Sequence, residues 1–281
     1  MNYKIIADSS ANLTSHDCGV PFESVPLRIM TDEKEYVDNA ELDVHGMLDD
    51  LAKYKGRSHT SCPNSEEYLA SFGDAENVFV VTITAELSGS YNAAKVAAET
   101  YMAEHPGRRV HVVNSRSTGG ECVLLCDKLA ELINEGVPFD EIVERITAYN
   151  KRTRLIFALE SMRNLANNGR VSHLVAKMAS IIGIRAIGRA SSIGTLEMTN
   201  KSRGVQNAMT DIVKNMQKEG CIGGKIYLQH ADNELAAKLL KEKIETFFEK
   251  ARVVVGELRG LCGFYAERGG VMVGFEAATD D

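Results

Sequence analysis

The sequence contains no tryptophan and only five prolines, and aromatic residues make up 6% of its 281 residues. It also lacks a long apolar stretch: residues 155–159 (LIFAL) and 122–126 (CVLLC) are among the longest runs, far below the ~18 residues of a membrane-spanning helix. We therefore expect no integral membrane insertion. The amino terminus reaches Asp8 after one short apolar run, which is not the pattern of a secretory signal peptide, and we expect a cytoplasmic protein.

Cysteine is present but sparse, with six residues in the chain. Without a secretion signal these cysteines are expected to be reduced thiols and not a disulfide framework. Cys122 and Cys126 share one face of a predicted helix, yet no further Cys or His lies nearby at metal-ligand spacing. We expect buried structural cysteines and no metal site.

Negative charge is in modest excess. The chain has 39 acidic and 32 basic residues, and its formal net charge is −7. This balance disfavours general nucleic-acid binding but not local recognition of an anion. Hydrophobic residues make up 44% of the chain and charged residues 25%, which indicates a globular protein and excludes a disordered one. The length allows one large core or two domains of roughly 140 residues.

The first half alternates strand-like and helix-like patterns. Strands are predicted at residues 3–7, 78–83 and 109–113, and helices at 91–103, 121–135 and 139–150. Such strand–helix units imply right-handed crossovers and a mostly parallel sheet with helices on both faces.

The second half predicts a different α/β unit with antiparallel elements. Its predicted strands are residues 154–158, 185–190, 195–199, 225–229, 253–258 and 271–275, and its predicted helices are residues 161–168, 172–182, 205–218 and 233–249. We assign residues 1–150 to an N-terminal α/β domain and 151–281 to a C-terminal α/β domain. No linker marks this boundary, and residues 60–76 are candidates for packing with the second domain.

Small hydroxyl residues recur beside predicted strand and helix ends. The segments are Asp8-Ser9-Ser10, Ser58-His59-Thr60-Ser61, Leu87-Ser88-Gly89-Ser90 and Asn114-Ser115. Carboxyl ends of parallel strands share one edge of a sheet, and helix N-termini there add unpaired N–H groups. Each hydroxyl alone is explained by helix capping, but four such segments favour a pocket for a carboxylate or phosphate.

Catalytic motifs are missing from the sequence. It has no Gly-x-Ser-x-Gly elbow, no phosphate-binding loop and no Gly-x-Gly-x-x-Gly after the first strand. The enzyme hypothesis that stays open is a small-molecule phosphotransferase or hydrolase using Asp8 and Ser115. A third hypothesis is an interaction module whose pocket no longer serves a ligand.

Several short motifs follow one another along the chain. They are Ala7-Asp8-Ser9-Ser10-Ala11-Asn12-Leu13, Thr60-Ser61-Cys62-Pro63-Asn64, Leu87-Ser88-Gly89-Ser90-Tyr91, Asn114-Ser115, Asn167-Asn168-Gly169-Arg170-Val171-Ser172 and Lys201-Ser202-Arg203. In their order and spacing these motifs resemble the DegV family of bacterial fatty-acid-binding proteins over essentially the whole chain. The resemblance implies two α/β domains with a ligand tunnel between them. It also implies a non-catalytic carrier of one long-chain fatty acid such as palmitate, stearate or oleate, with no other cofactor.

The same resemblance implies roles for individual residues and for partners. Thr60, Ser61, Ser88 and Gly89 would hold the carboxylate, and Arg170 would lie near the entrance, where phosphate or a fatty acid kinase would approach. The kinase would receive the acid for phospholipid metabolism, and transient contact with a membrane surface is expected.

Three positions depart from the family pattern. Tyr265 stands where the family usually has a histidine, and we expect its hydroxyl to assist head-group binding. Cys62 replaces a glutamine, and Arg185-Ala186-Ile187 lacks a proline that is often found there. For the tunnel wall we expect residues from the apolar set Ile156, Phe157, Leu159, Leu165, Leu174, Met178, Ile181, Ile182, Ile184 and Ile187.

Overall fold

A computed structural model describes residues 2–172 and 183–278. Its strands are β1 (Tyr3–Asp8), β2 (Phe22–Val25), β3 (Arg28–Met30), β4 (Glu35–Val37), β5 (His59–Ser61), β6 (Asn77–Thr82), β7 (Arg109–Asn114), β8 (Thr153–Leu159), β9 (Ile184–Ala190), β10 (Leu196–Arg203), β11 (Gly224–His230), β12 (Ala251–Glu257) and β13 (Val271–Glu276). Its helices are α1 (Val44–Lys53), α2 (Ser65–Phe72), α3 (Ser90–Glu104), α4 (Gly120–Asn134), α5 (Phe139–Asn150), α6 (Arg163–Asn167), α7 (Val205–Lys218), α8 (Glu234–Phe247) and α9 (Gly260–Ala266). No helix among these residues is long and apolar enough to cross a membrane.

The first half forms a four-stranded parallel sheet in the order β2-β1-β6-β7. Alternate residues of its strands face opposite layers: Ile6 and Val80 pack with α2 and α3, whereas Ile5 and Val81 pack with α4 and α5. Burial on both faces explains why β6 is an unbroken run of buried residues. The predicted parallel sheet with helices on both faces is confirmed.

The second half forms a six-stranded sheet in the order β10-β9-β8-β13-β11-β12, in which only β11 and β12 are parallel neighbours. One face packs against α7 and α8, and the other faces α6, α9 and the first domain. The predicted strands and helices of this half are confirmed within a few residues, except that residues 173–182 of one predicted helix lie outside the described residues.

A small antiparallel sheet, in the order β4-β3-β5, was not predicted from the sequence. Each of its strands has only three residues, too few to show an alternating pattern. Ile29 of β3 and Met47 of α1 form a separate core with Phe264 of α9. The sheet therefore connects the first half of the chain to a helix of the second half.

Helix α4 joins the two large sheets, because it contacts β1 and β6 on one side and β8, β11 and β13 on the other. Helix α4 approaches β13 closely at Gly274, which has no side chain. A methyl group on Gly274 would lie 2.5 Å from the backbone nitrogen of Glu121. Cys122 and Cys126 are buried in this helix and both are free thiols, as predicted.

Candidate functional site

A cavity of about 270 Å³ lies between the two large sheets and the small one. Most of its wall is apolar, formed by Leu27, Ile83, Leu87, Leu155, Phe157, Leu159, Leu165, Leu196, Leu261, Ala266 and Met272. The remaining wall contains Thr60, Ser61, Cys62, Ser88, Gly89, Thr118, Arg170, Cys262 and Tyr265. All six residues that the sequence singled out for ligand and entrance roles therefore line one cavity.

The Ser88–Gly89 turn brings the start of α3 to the cavity. The Ser88 hydroxyl accepts a hydrogen bond from the Ser90 backbone N–H at 3.2 Å, which shapes the first turn of the helix. Gly89 faces Cys62, and a methyl group at Gly89 would lie 3.1 Å from the Cys62 sulfur. The helix is 15 residues long, so its N-terminal N–H groups and positive dipole end favour an anion at this point.

Thr60 and Tyr265 meet across the cavity, although they are 205 residues apart. Thr60 lies on β5 opposite Ile29, Tyr265 lies on α9, and their hydroxyl oxygens are 2.7 Å apart. Burial raises the pKa of Tyr265 above its ordinary value, while the Thr60 hydrogen bond and the charge of Arg170 act in the opposite direction. The phenol therefore stays neutral, and either hydroxyl of the pair can be the donor.

Arg170 supplies a positive charge to the same wall. Its Nε donates to the backbone carbonyl of Leu87 at 3.2 Å, and its guanidinium also donates to the carbonyl of Asn168. Within residues 2–172 and 183–278, no carboxylate forms an ion pair with it. The guanidinium is thus held by neutral carbonyls beside the Ser88 turn.

Asp8 lies outside the cavity wall but is bonded to Ile83, which belongs to that wall. Its carboxylate accepts hydrogen bonds from the Ser10 backbone N–H and hydroxyl, the Ile83 backbone N–H and the Ser90 hydroxyl, at 2.5–3.2 Å. Burial raises its pKa, although these four bonds favour the ionised form. The bonds connect the end of β1 to the end of β6 and the start of α3.

The residues of the enzyme hypothesis are not brought together in the cavity, whose wall includes neither Asp8 nor Ser115. The Ser115 hydroxyl donates to the Ser117 carbonyl at 3.0 Å and lines a separate polar cleft with Arg116 and Glu121. In the described part of the chain there is also no cluster of three or more acidic, His or Cys side chains suited to a metal ion.

The predicted tunnel wall is partly wrong. Phe157, Leu159 and Leu165 line the cavity. Ile156 and Ile187 instead lie on the opposite face of the second sheet, buried against α7, because neighbouring strand residues point to opposite sides. Ile184 begins β9 away from the cavity wall. Leu174, Met178, Ile181 and Ile182 lie outside the described residues.

Sequence reasoning missed several wall residues, including Leu27, Thr118, Leu261 and Cys262. Thr118 donates to the Ser10 carbonyl at 3.2 Å, and the Cys262 thiol lies 3.3 Å from the same carbonyl. Burial raises the pKa of Cys262 to about 12, so the group remains a thiol. The only local signal was that Cys262 lies three residues, nearly one helical turn, before Tyr265.

The chain is similar to known proteins over almost its whole length. Residues 2–278 match a family model described as an uncharacterised protein of the DegV family. A DegV domain-containing protein of Streptococcus pyogenes serotype M3 is 40% identical over 279 residues, which are 98% of this chain and 100% of that protein.

Two solved structures are similar in both sequence and fold. A DegV family protein from Eubacterium eligens, loaded with heptadecanoic acid, is 42% identical with a TM-score of 0.96, covering 98% of this chain and 100% of that one. The Fatty Acid Kinase (Fak) B3 protein of Streptococcus pneumoniae, loaded with linoleic acid, is 39% identical with a TM-score of 0.96, covering 99% and 100%.

Proposed function

Because this chain belongs to the DegV family, we propose that it binds one long-chain fatty acid, such as palmitate, stearate or oleate, in the cavity between its domains. The observation that carries the proposal is a mostly apolar cavity whose polar groups include five neutral hydroxyls and a single charge, Arg170. The fatty acids held by the two similar solved structures support the same ligand class.

The acyl chain would supply most of the affinity. Each buried methylene contributes roughly 0.8 kcal/mol, so about fifteen of them contribute ~12 kcal/mol before the costs of association. Those costs are on the order of 4–15 kcal/mol, so nearly complete burial is needed for tight binding. The leucine-rich wall from β8, α6 and α9 would provide that burial.

The head group would be oriented by Thr60, Ser61, Ser88, Tyr265 and the backbone N–H groups near Gly89. The Thr60–Tyr265 hydrogen bond uses one hydroxyl proton and leaves the other free for the ligand. Hydrogen bonds from neutral donors to a carboxylate are charge-assisted and stronger than neutral pairs. Arg170 and the N-terminus of α3 add a favourable potential without a direct ion pair.

We also propose that the bound acid is presented to a fatty acid kinase, so that the protein is a carrier and not itself the catalyst. The name of the similar S. pneumoniae protein supports this role. Arg170 is only half-buried at the cavity wall, where a partner could reach it.

We place this role in the cytoplasm, with transient contact at the membrane surface for acid exchange. Cell fractionation followed by immunodetection would test the location.

The binding proposal is tested by mass spectrometry of protein purified gently from bacteria. We expect close to one straight-chain C14–C20 fatty acid per chain. Repeated recovery of protein that neither contains a fatty acid nor takes one up when it is added would overturn the proposal.

A double variant, tested with a fatty acid and its methyl ester, separates head-group binding from burial of the acyl chain. Thr60→Val with Ser88→Ala should weaken binding of the acid by about tenfold, because two hydrogen bonds of ~1 kcal/mol are partly lost, while binding of its methyl ester changes little. Thr147→Val, at an exposed position of α5, serves as the matched control.

A further inference from the structure

Asp38, directly after β4, is a buried carboxylate with no exposed surface. Its Oδ1 accepts a hydrogen bond from the Gly260 backbone N–H and its Oδ2 accepts one from the Leu261 N–H, both at 2.8 Å. The partners are 222 and 223 residues away and form the first turn of α9. One side chain next to the small sheet thus satisfies two N–H groups at the start of a helix from the other half of the chain.

The contact leaves no spare room. A methyl group at Gly260 would lie 2.7 Å from Asp38 Cγ and 2.7 Å from Leu42 Cδ2, closer than nonbonded carbon atoms approach. Arg259, the residue before the helix, donates its backbone N–H to Asn12 Oδ1 at 2.9 Å and its guanidinium to the Asn39 carbonyl at 2.5 Å. The start of α9 is therefore fixed by the carboxylate, by steric fit and by bonds to two flanking segments.

The same helix carries four residues of the cavity wall: Leu261, Cys262, Tyr265 and Ala266. Tyr265 lies about one turn after the Asp38 contact, and its hydroxyl meets Thr60 at 2.7 Å. Thr60 belongs to β5, and β5 pairs with β3, which also pairs with β4 immediately before Asp38. One small sheet thus provides Thr60 directly and holds the helix that provides Tyr265.

We propose that Asp38 is a positioning residue for the ligand head group: by holding the first turn of α9, it sets the Thr60–Tyr265 distance. The inference rests on the proposed fatty-acid binding and adds a residue that does not itself line the cavity. A carboxylate is suited to this task because it offers an acceptor oxygen to each N–H. An asparagine would turn an NH₂ donor toward one of them and leave that N–H unpaired.

The test is a double-mutant cycle that uses the full chain, with palmitate and methyl palmitate as displacing ligands of a fluorescent fatty acid. Asp38→Asn should weaken palmitate binding by about fivefold to tenfold, as expected for loss of one head-group hydrogen bond, and change methyl palmitate binding less than about twofold. In a Tyr265→Phe background, the same substitution should have almost no further effect, because its action passes through Tyr265. Urea unfolding of each variant measures the separate effect on stability.

Two further variants keep the result interpretable. Gly260→Ala retains the Asp38 carboxylate but displaces it, and should show the same binding pattern that is expected of Asp38→Asn. It replaces Asp38→Asn in the test if that variant does not fold. Glu121→Gln changes another buried carboxyl, on α4 outside the cavity, and should leave palmitate affinity unchanged. Equal losses for acid and ester, or losses that add to those of Tyr265→Phe, would overturn the positioning role. Failure of the unaltered protein to bind either ligand would instead overturn the proposed function.

Discussion

In the proposed head-group site, Tyr265 would determine how binding responds to pH. Burial raises its pKa, so the phenol keeps its proton throughout the neutral range, and the hydroxyls of Thr60 and Ser88 do not titrate. A histidine at this position would gain a charge as pH falls through ~6.5. The residue at 265 therefore decides whether the site itself contributes a pH dependence to binding.

Replacing this phenol by an imidazole gives a direct prediction. The ratio of palmitate affinities, Tyr265→His over Tyr265→Phe, should rise about fivefold as pH falls from 8 to 5.5, because imidazolium makes a charge-assisted bond. The ratio for the unaltered protein over Tyr265→Phe should stay constant. Taking the ratio of two affinities at the same pH removes the effect of ligand ionisation, because that ionisation is the same for all variants. A pH-dependent ratio for the unaltered protein would contradict the neutral head-group site.

Some site residues could be predicted from the sequence because their positions depend on local structure. Ser88 and Gly89 precede a helix that follows a strongly predicted strand, and Thr60 belongs to a short motif with a known family resemblance. Asp38 and Cys262 could not be predicted, because their roles arise from contacts with residues more than 200 positions away. Nothing in the local pattern around Asp38 specifies which helix it caps.

At the scale of elements, the long strands were easy to predict from their composition. Runs of β-branched residues mark β6, which is buried on both faces, and β7, and the alanine-rich α3 lies between them. The small sheet was missed because three-residue strands carry too little periodicity, and α9 was missed because its sequence GLCGFYA contains two glycines. These missed elements are the ones that bring Thr60 and Tyr265 together.

The contact between α4 and β13 predicts a strong effect of a small substitution. Gly274→Ala places a methyl group 2.5 Å from the Glu121 backbone nitrogen, and backbone atoms on both sides would have to move. We expect urea unfolding to show a loss of about 1–3 kcal/mol, the usual cost of overpacking.

Gly256→Ala, on the edge strand β12, is the matched control, since a methyl group there has no neighbour within 4 Å. Its free energy of unfolding should change by less than about 0.5 kcal/mol. Equal effects of the two substitutions would mean that close approach of α4 and β13 does not hold the sheets together.

For the whole molecule, the cavity exists because the two large sheets do not meet everywhere. The sheets are joined along α4. Elsewhere a space remains between the domains, and its wall includes Leu87, Leu165 and Leu261. A fatty acid in that space would form part of the core, yet its carboxylate would face the side where Arg170 is half-buried. This geometry would suit a carrier, because the acyl chain would be shielded from water and the carboxylate would lie near a surface that a second protein can approach.

Presentation to a kinase predicts that acid binding and acid phosphorylation can be separated at Arg170. Purified acid-loaded protein, mixed with a bacterial fatty acid kinase, ATP and hydroxylamine, should yield acyl hydroxamate from the trapped acyl phosphate. Arg170→Gln should retain close to one fatty acid per chain but lower the hydroxamate yield about tenfold, equivalent to ~1.4 kcal/mol for a lost charged contact with partner or phosphate.

The matched control is Arg145→Gln, which changes an exposed arginine on α5 that is paired with Glu141. It should leave both measurements unchanged. Loss of the fatty acid itself from Arg170→Gln would assign this residue to ligand binding, and absence of hydroxamate from the unaltered protein would argue against the carrier role.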